Sequence, residues 1–469
     1  MSFLKHTAGS LVRRHLLIPF YWKYINRSNV LCNYEHLKKI QWNSLEENRK
    51  IQRKRLFNLI EYASRTIPYY QEVIKNYGII FNEETIFEDL KKFPLLTKKV
   101  IRNHFNDLYR FRDKTYYRNT SGGSTGEPVV FYQDKEYLDW ANATKRLFNG
   151  WAGRNIGDPM LKLWGSQPDI LRGGRGFKGY LRQQFSGVTT MGASKMSEED
   201  MSERVKSINQ LKPPLILAYT NVIDELARFI QRNHLFVYSP FAVMTTAGVL
   251  YPDLKERVKE VFHTTVFDRY GSREVSDMAC NCEKDEGLHL IPTIHYLEIV
   301  DDNGERIQAG ETGNIVLTLL TNYTMPLIRY KIGDRGLLSN KQCSCGRGFP
   351  LIKKIEGRIT DKFRNKFGDY VGGGIFFEFF YYQENIRQFQ IVQKAVDCIL
   401  INLVLNDKSK FKDMQKTLKG INQIICKIMG HDVIVKYNVV DEIEPGPSGK
   451  FNYSFSLVEK NDFNPAMID

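Results

Sequence analysis

The sequence has 469 residues, of which 42% are hydrophobic and 13% aromatic, which excludes a disordered polymer. At this length about two to three domains are expected, and no apolar run reaches the ~18 residues of a membrane-spanning helix. The formal net charge of +14 favours an anionic partner, such as a polyphosphate ligand or the anionic face of a membrane. No basic–aromatic repeat or nucleic-acid motif is present, so nucleic acid is the least favoured partner.

The first 43 residues form a basic amphipathic segment. Its apolar residues, from Leu11 to Tyr21, are mixed with arginine, lysine and histidine, and no signal-peptide cleavage site follows them. This composition permits a helix that lies on anionic lipid. A helix packed on the protein's own body is the favoured alternative, because Pro19 interrupts the apolar period.

Helices and short strands are predicted to alternate over the next two hundred residues. Apolar residues at helical spacing predict helix over 44–79, and Thr97 is a candidate N-cap for a short helix that follows a strand end at Leu96. Further strands are predicted at 129–132, 159–165, 215–220, 242–248 and 264–271, with helices at 137–149 and 222–233. This order is typical of a parallel α/β sheet, which binds ligands at the carboxyl ends of its strands.

The pattern changes after Tyr296, where alternating residues at 297–300 and 314–320 flank Asn303-Gly304 and predict a β-hairpin. From Gly357 a smaller unit is predicted. Its β-β-α-β order comes from 389–393, 398–405, 409–429 and 433–440. The expected fold class is therefore α/β, with three segments: the basic N-terminal segment (1–43), a large domain with mixed or parallel sheets, helices and a hairpin-rich part (44–356), and a small mobile α+β domain (357–469).

The run from Asn119 to Pro128 contains three glycines and four hydroxyl side chains. Glycines allow the backbone to approach a ligand closely, and hydroxyls with free N–H groups suit the oxygens of a phosphate. The candidate contacts are Ser121, Gly122, Gly123, Ser124, Thr125 and Gly126. No Gly-Lys-Ser/Thr ends the run, so it is not a Walker A loop, and its composition also fits a surface linker.

Four further stretches combine a polar side chain with a turn or strand end. Tyr270-Gly271-Ser272-Arg273-Glu274 places an aromatic face near a carboxylate, which suits a purine and Mg²⁺. Gly333-Asp334 puts an acid in a glycine-flanked turn that suits ribose hydroxyls. Gly357-Arg358 opens the small unit, and Ser448-Gly449-Lys450 presents a lysine on a flexible loop. Each stretch alone has a structural explanation, whereas together they favour a nucleotide site.

Seven cysteines, four of them in two Cys-x-Cys pairs, favour reduced thiols over a disulfide framework. With a histidine they provide the ligands that tetrahedral zinc prefers. Unliganded thiols are the alternative, because the two pairs are far apart and Cys-x-Cys is tighter than the usual spacing. A zinc ion held by four protein ligands would be structural rather than catalytic, since a filled shell leaves no open position. Its expected ligands are Cys282, His289, Cys343 and Cys345, with Cys280 as the alternative to Cys282.

In this order, the stretches resemble the adenylate-forming (ANL) superfamily, and especially its phenylacetate–CoA ligase-like branch, which includes the capsule-biosynthesis CapK proteins. The resemblance covers about residues 45–455, and the Cys-x-Cys-Gly-Arg element is fairly specific for this branch. The matching motifs are Thr120–Pro128, Tyr270–Glu274, Met325–Asp334, Cys343–Arg347, Gly357–Arg358 and Ser448–Phe451.

The resemblance implies an ATP- and Mg²⁺-dependent ligase that activates a small carboxylic acid as acyl-AMP. The acyl group would pass to coenzyme A, or to the amine of an amino sugar or amino acid, in capsular or other surface polysaccharide assembly. Some relatives in this branch carry a zinc site of the kind expected above.

The resemblance also implies a role for each motif residue. The β- and γ-phosphates would lie on the Ser121–Gly126 loop, and Mg²⁺ on Glu274. The other implied contacts are adenine on Tyr270 and Gly271 beside Gly248, ribose on Asp334 with Arg358 nearby, and the substrate carboxylate with the α-phosphate on Lys450. The acyl pocket is expected at the strand ends Trp164-Gly165 and Tyr219-Thr220, under Phe177 or Tyr180.

Two positions depart from the family pattern. Glu127 stands where many members have lysine, and Thr360, followed by Asp361, stands at the usual acidic hinge. Adenylation is therefore better supported than the domain rotation that admits a thiol. A membrane-associated nucleotide-binding scaffold without ligase activity is the alternative function. We expect a cytoplasmic protein, located at the inner face of the membrane if its N-terminus binds lipid.

Overall fold

The structure is a computed structural model, and the chain divides into two compact units, one ending at Glu356 and one beginning at Gly357. Among the residues it describes, no helix is both long enough and apolar enough to cross a bilayer. The described residues are 9–112, 115–121, 129–164, 185–193, 198–308, 310–358, 362–367, 370–372, 376, 379–380, 383, 385–444 and 453–458.

The N-terminal segment is helical over residues 9–25 (α1) and continues through Pro19. Two π-helical stretches, Arg13–Leu17 and Tyr21–Ile25, flank the short α-helical piece Ile18–Phe20. Proline has no N–H to donate, and the wider i→i+5 turns on either side keep the remaining backbone groups paired. The expected interruption at Pro19 is therefore a change of helix type.

One side of α1 packs on the body of the first unit. The Arg13 Nε donates to the Gly157 carbonyl at 2.7 Å, and the Arg14 guanidinium binds the Asp158 carboxylate at 3.0 Å. Trp22 is buried, and its ring lies 3.9 Å from the Arg146 guanidinium carbon. The prediction that this helix packs on the protein's own body is confirmed.

The opposite side of α1 is exposed and apolar. Leu16, Phe20 and Tyr24 succeed one another at a spacing of four residues, and 64%, 57% and 60% of their surfaces are accessible. Ile25, beside them, is 63% exposed. A helix that is held by one face and shows a row of large apolar side chains on the other is unusual for a protein surface in water.

Five further helices complete the N-terminal half of the first unit. Ser44 caps α3 by accepting from the Glu47 N–H at 3.2 Å, while the Glu47 carboxylate accepts from the Ser44 N–H at 2.7 Å. The predicted helix over 44–79 is divided at Ile67, which is extended because Pro68 follows it. The helices are α2 (Val30–Ile40), α3 (Leu45–Thr66), α4 (Pro68–Tyr77), α5 (Ile86–Asp89) and α6 (Lys98–Asn103).

The cap of α6 is confirmed, because the Thr97 hydroxyl accepts from the Val100 N–H. The strand expected before it is reduced to a single bridge between Leu96 and Tyr330. The first unit's sheet strands lie further along the chain, after the small hairpin of β1 (Tyr116–Thr120) and β2 (Val130–Asp134).

The described strands of the first unit form an eleven-stranded mixed sheet in the order β10-β11-β12-β13-β9-β8-β7-β6-β5-β3-β4. The run from β4 to β7 is parallel and the β7–β8 pair is antiparallel. The strands are β3 (Met160–Leu163), β4 (Val188–Met191), β5 (Leu215–Tyr219), β6 (Ala242–Thr246), β7 (Thr265–Ser272), β8 (Ser276–Asn281), β9 (Leu288–Leu290), β10 (His295–Val300), β11 (Gly313–Leu319), β12 (Tyr330–Leu338) and β13 (Leu351–Arg358).

Helices cover both faces of the parallel part, as a buried parallel sheet requires. One core cluster joins one face of these strands to α3 and α7 (Lys135–Trp151). A second cluster joins the other face to α8 (Glu198–Leu211), α9 (Thr220–Arg232) and α10 (Pro252–Phe262). The predicted α/β fold class is confirmed, and the strand ends of β3, β5, β6 and β7 are brought side by side.

The predicted hairpin after Tyr296 is present, with Val300 of β10 opposite Asn314 of β11. Its connection is longer than a two-residue Asn-Gly turn, because the chain between the two strands makes a separate bridge from Val300 to Arg306. The Asp301 carboxylate accepts the N–H groups of Asn303 and Glu305 at 2.9 Å and holds this connection in place.

The second unit contains a four-stranded sheet in the order β18-β17-β16-β19 and a small β14–β15 pair. The β-β-α-β order of β16, β17, α11 and β18 confirms the prediction. The helix begins later than expected, because Lys408–Phe411 forms a separate 3₁₀ turn. The elements are β14 (Lys362–Arg364), β15 (Tyr370–Gly372), β16 (Ile386–Ala395), β17 (Cys398–Leu405), α11 (Gln415–Met429), β18 (Ile434–Val439) and β19 (Ser454–Ser456).

Candidate functional site

The glycine-rich run begins and ends at the tip of the β1–β2 hairpin. Ser121 is buried, its N–H donates to the Val129 carbonyl at 2.8 Å, and its hydroxyl accepts from the Val129 N–H at 2.9 Å. These two bonds close the base of the loop. The other predicted phosphate contacts lie outside the described residues: Gly122, Gly123, Ser124, Thr125 and Gly126.

The base of this loop is fastened to the turn that carries Glu274. The Asn119 side chain donates to the Arg273 carbonyl at 3.1 Å. The buried Gln133 amide donates to the carbonyls of Arg273 and Glu274 at 3.0 and 3.1 Å. The segment expected to hold phosphates therefore starts next to the backbone of Glu274, the buried residue expected to hold Mg²⁺, although 141 residues separate Gln133 from Glu274 in the sequence.

Tyr270 and Asp334 meet directly. The Tyr270 hydroxyl donates to the Asp334 carboxylate at 2.7 Å, which brings together the residues expected to bind adenine and ribose. In AMP the base and the sugar are covalently joined, so their protein contacts must be close to each other. The predicted pair satisfies this requirement.

Asp334 lies inside strand β12, and the prediction of a glycine-flanked turn is wrong. The strand bulges here, because Arg335 is opposite Asn314 while Lys331 is opposite Val316. Gly333 has a φ of +96°, which a glycine adopts without strain and which produces the bulge. The bulge directs a carboxylate out of the regular strand pattern, as the predicted turn would have done.

Gly271 occupies a second bulge, beside Tyr270. The register of β7 against β8 shifts between Tyr270 and Gly271, and a Cβ at Gly271 would lie 2.5 Å from the Ser276 carbonyl oxygen. This glycine is needed for the close approach of two backbones. It contributes to the site by shaping the strand that carries Tyr270.

Gly248 ends the turn that follows β6, at the carboxyl end of the sheet. The Thr220 hydroxyl contacts the carbonyls of Thr246 and Gly248 at 3.2 Å and holds this turn. Ala247 has a φ of +70°, an uncommon backbone conformation for a residue with a side chain. Thr246 is paired with Arg269, the residue before Tyr270, so the turn lies beside the expected adenine site.

For two of the predicted nucleotide-site residues, Arg358 and Lys450, the structure describes no side-chain position. Arg358 ends β13, but its side chain is outside the described part of the chain, and Lys450 is wholly outside it. Thr360 and Asp361 at the hinge, and Phe177 and Tyr180 over the acyl pocket, also lie outside the described residues. Their roles stay predictions.

Two buried polar residues, Asp134 and Arg329, prove to be structural anchors. Asp134 accepts the N–H groups of Tyr137, Tyr323 and Thr324, and so fixes the loop-bearing hairpin to the segment before β12. Arg329, with a φ of +51°, pairs with the buried Glu298 at 3.3 Å. Both hold the framework on which the candidate site is built.

The expected zinc ligands lie together. The ligand atoms of all four residues are within 4.8 Å of one another, with Cys282 Sγ 3.6 Å from Cys343 Sγ and Cys345 Sγ 3.4 Å from His289 Nε2. Zinc bonds of about 2.3 Å to sulfur and about 2.0 Å to nitrogen place tetrahedral ligands roughly 3.5–3.8 Å apart. The four side chains therefore fit one tetrahedral zinc ion.

The protonation states of His289 and Cys343 are also compatible with a bound cation. Burial and the neighbouring Arg347 lower the pKa of His289 to about 4, so its imidazole is neutral and can act as a ligand. Burial raises the pKa of Cys343 to about 12. Without a cation this thiol is protonated at neutral pH, whereas a bound dication would stabilise the thiolate.

Cys280 does not belong to the cluster. It lies within β8, opposite Arg269 on one neighbouring strand and His289 on the other, and is fully buried. Cys282 follows the end of β8, where the chain leaves the sheet and approaches Cys343. The alternative ligand set with Cys280 is therefore not supported by the geometry.

Arg347, in the same Cys-x-Cys-Gly-Arg element, connects the cluster to the body of the unit. Its guanidinium contacts the Glu283 carboxylate at 3.1 Å and the Gln41 side chain at 3.2 Å. It also lies 4.7 Å from the ring centre of Trp151. The cluster thus joins α2, α7 and the β8–β9 connection, as expected of a structural site.

Sequence reasoning missed a group of basic residues near the end of β3. Lys162 interrupts the apolar strand Met160–Leu163, and Lys145 lies on the otherwise largely buried helix α7. A lysine in the middle of a four-residue apolar strand was the available signal. Trp164 and Tyr219, which were expected to border the acyl pocket, pack against each other here with ring centres 4.6 Å apart.

Comparison with known proteins supports the same family. The family model described as the CapK C-terminal domain matches residues 359–456. Protein CapK of Staphylococcus aureus is 22% identical over 440 residues, 91% of this chain and 92% of that protein. Phenylacetate-coenzyme A ligase of Thermus thermophilus is 27% identical over 329 residues, 67% of this chain and 71% of that protein.

Among solved structures, a crystal structure of 2-hydroxyisobutyryl-CoA ligase in the postadenylation state superposes with a TM-score of 0.69. It is 20% identical and covers 89% of this chain and 91% of that one, a similarity that establishes the fold. Fold and sequence relatives together define an acid–CoA ligase-like enzyme of the adenylate-forming class. Over most of its length the chain is similar to the adenylate-forming (ANL) superfamily, and in particular to the phenylacetate–CoA ligase-like branch that includes CapK.

Proposed function

We propose that this enzyme uses ATP and Mg²⁺ to convert a small carboxylic acid into its acyl-adenylate, and then transfers the acyl group to coenzyme A or to an amine. The observation that carries the proposal is the convergence of the loop base, Glu274 and the Tyr270–Asp334 pair in one unit. The sequence relatives named phenylacetate-coenzyme A ligase favour coenzyme A as the acceptor.

The proposed reaction joins two anions, because a substrate carboxylate oxygen attacks the α-phosphorus of ATP and pyrophosphate leaves. The site must therefore offset the negative charge that accumulates. We assign the β- and γ-phosphates to the Ser121–Gly126 loop and Mg²⁺ to Glu274. Adenine lies on Tyr270 beside Gly271 and Gly248, and ribose on Asp334 with Arg358. Lys450 contacts both the carboxylate and the α-phosphate, which aligns them.

ATP–pyrophosphate exchange with a panel of carboxylic acids tests this function. We expect exchange that requires an acid, and mass spectrometry of complete reactions should then identify a thioester with coenzyme A or an amide with an amino sugar or amino acid. Binding of ATP without exchange for any acid would instead support the nucleotide-binding scaffold.

The similarity to CapK over nearly the whole chain favours a role in capsular or other surface polysaccharide assembly.

The cluster of Cys282, His289, Cys343 and Cys345 is proposed to bind one structural Zn²⁺. The distances between the ligand atoms support this assignment, and the four protein ligands leave no open position for catalysis. Zinc here would tie the segment after β8 to the segment before β13 across a long stretch of sequence.

The exposed face of α1 is proposed to bind the anionic inner face of the membrane. Its apolar row of Leu16, Phe20 and Tyr24 supplies buried area in the interface, and the exposed cations Lys23 and Arg27 complement anionic headgroups. The other face stays bound to the protein through Arg13 and Arg14. A cytoplasmic enzyme would in this way work at the inner face of the membrane.

Vesicle flotation tests the membrane proposal. The wild-type protein should float with phosphatidylglycerol-containing vesicles, and the triple variant Leu16→Ser, Phe20→Ser, Tyr24→Ser should lose at least about tenfold in binding. The control is Ile80→Ser with Phe236→Ser, because both side chains are 81% exposed but lie outside α1. Equal binding of the wild type and the triple variant, or no preference for anionic over phosphatidylcholine vesicles, contradicts the proposal.

A further inference from the structure

Two cations from different strands lie over Trp164 at the end of β3, and a third, Lys145 of α7, is near enough to interact electrostatically with them. The Lys162 ammonium lies 5.3 Å and the Arg269 guanidinium carbon 5.8 Å from the centre of the Trp164 ring. Burial lowers the pKa of Lys145, on α7, and the charges of Asp277 and Arg269 also act on it. Lys162 and Arg269 therefore share one site at the carboxyl edge of the parallel sheet, and Lys145 on the covering helix α7 adds its charge to that site.

Strand register places Lys162 and Arg269 on the same face of this sheet. Lys162 is aligned with Leu217, which is aligned with Met244 and then with Phe267. Arg269 is two residues beyond Phe267, so its side chain is on the same side. This is the face whose core residues pack with those of α7, the helix that carries Lys145.

Within the part of the chain that the structure describes, the three positive charges of Lys145, Lys162 and Arg269 are opposed here by one negative charge, that of Asp277. Asp277 lies 3.2 Å from Arg269, and both side chains are buried. Among the described residues, neither Lys145 nor Lys162 has a hydrogen-bonded or ion-paired partner. Burial, together with Arg269 and Lys145, lowers the pKa of Lys162 to about 7. Two ammonium groups held here without matching acids are costly unless a ligand supplies negative charge.

The group lies directly beside the candidate nucleotide site. Arg269 immediately precedes Tyr270, and Asp277 is paired with Gly271 across the bulge. On its other side are Trp164 and Tyr219, the strand ends expected to border the acyl pocket. The cations thus lie between the residues expected to hold the nucleotide and the strand ends expected to border the acyl pocket.

We infer that Lys145, Lys162 and Arg269 bind a second anionic group of the acid substrate, so that the preferred acid is a dianion with a further carboxylate or a phosphate. This inference rests on the proposed adenylating function. One carboxylate reacts with ATP and releases pyrophosphate, while the second anionic group stays unchanged and offsets the two lysines. A purely apolar acid would leave both ammonium groups without a counter-charge.

Exchange assays with acids of matched length test the inference. Succinate and glutarate are compared with butyrate and valerate, and 3-phosphoglycerate represents a phosphate-bearing acid. We expect the wild type to prefer the dianionic acids. Lys162→Gln and Lys145→Gln should each raise KM for them at least about tenfold, with little change for the monoanionic acids. Lys162→Met, which keeps the volume but removes the charge, should shift the preference toward butyrate and valerate.

The exposed Lys99 provides the control, because Lys99→Gln removes one charge from the same unit without affecting this site. Thermal melting should show that all variants are folded. If the lysine variants raise KM equally for dianionic and monoanionic acids, these cations bind the reacting carboxylate. That result would overturn the inference, while the proposed function would stand. A wild type that prefers the monoanionic acids also overturns it. Absence of exchange with every acid removes the proposed function and the inference together.

Discussion

Glu274→Gln is expected to lower the rate of acyl-adenylate formation by about 10²–10³-fold and to raise the Mg²⁺ concentration needed for half-maximal rate. Glutamine keeps the size of the side chain but removes the anionic oxygen that a hard dication prefers. The fold should be retained, because the backbone at this position is held through its carbonyl by Gln133. ATP–pyrophosphate exchange measured as a function of Mg²⁺ concentration tests the prediction.

Two further variants show whether the effect of Glu274→Gln is specific to Mg²⁺ binding. Glu311→Gln changes an exposed glutamate of the same unit and should leave both the rate and the Mg²⁺ dependence unchanged. Lys450→Ala should also abolish most of the exchange, because it removes the amine proposed to bridge the reactants, but its Mg²⁺ dependence and ATP affinity should resemble those of the wild type. A Glu274→Gln enzyme with the wild-type rate at low Mg²⁺ would exclude this glutamate as the metal ligand.

Loss of one zinc ligand is expected to have the largest effect on stability. His289→Ala and Cys345→Ser should reduce bound zinc from about one per chain to near zero and lower the melting temperature by roughly 5–10 °C. The reason is that zinc binds the folded protein, and its binding free energy adds to the free energy of unfolding. Elemental analysis and thermal melting, each with and without a chelator, measure the two effects.

Cysteines outside the cluster provide the controls. Cys32→Ser changes an exposed thiol and Cys280→Ala a buried one, and both variants should keep their zinc. Cys280→Ala is expected to lose some stability from its buried position, but that loss should not depend on the chelator. Wild-type protein purified without added metal that contains no zinc above background would contradict the assignment.

Local features of the fold were predictable because they depend on neighbours in sequence. The spacing of apolar residues predicted α3 and α4, Thr97 was recognised as a cap, and short apolar runs predicted β3, β5, β6 and β7. The exact ends depended on other forces. The proline after Ile67 divides one predicted helix, and a 3₁₀ turn before α11 shortens another.

The sequence by itself determined the kinds of side chain available and the order of the motifs, and these were sufficient to show the resemblance to the superfamily and to predict the fold class. Only the tertiary structure decided which distant residues meet. The pairing of β8 with its neighbours leaves Cys282, and not Cys280, beside Cys343. A bulge around Gly333 brings Asp334 to Tyr270. The register of four strands places Lys162 and Arg269 on one face of the sheet. The physical reason is that strand register and backbone bulges are set by packing over the whole sheet, whereas helix caps and apolar periods are set within a few residues.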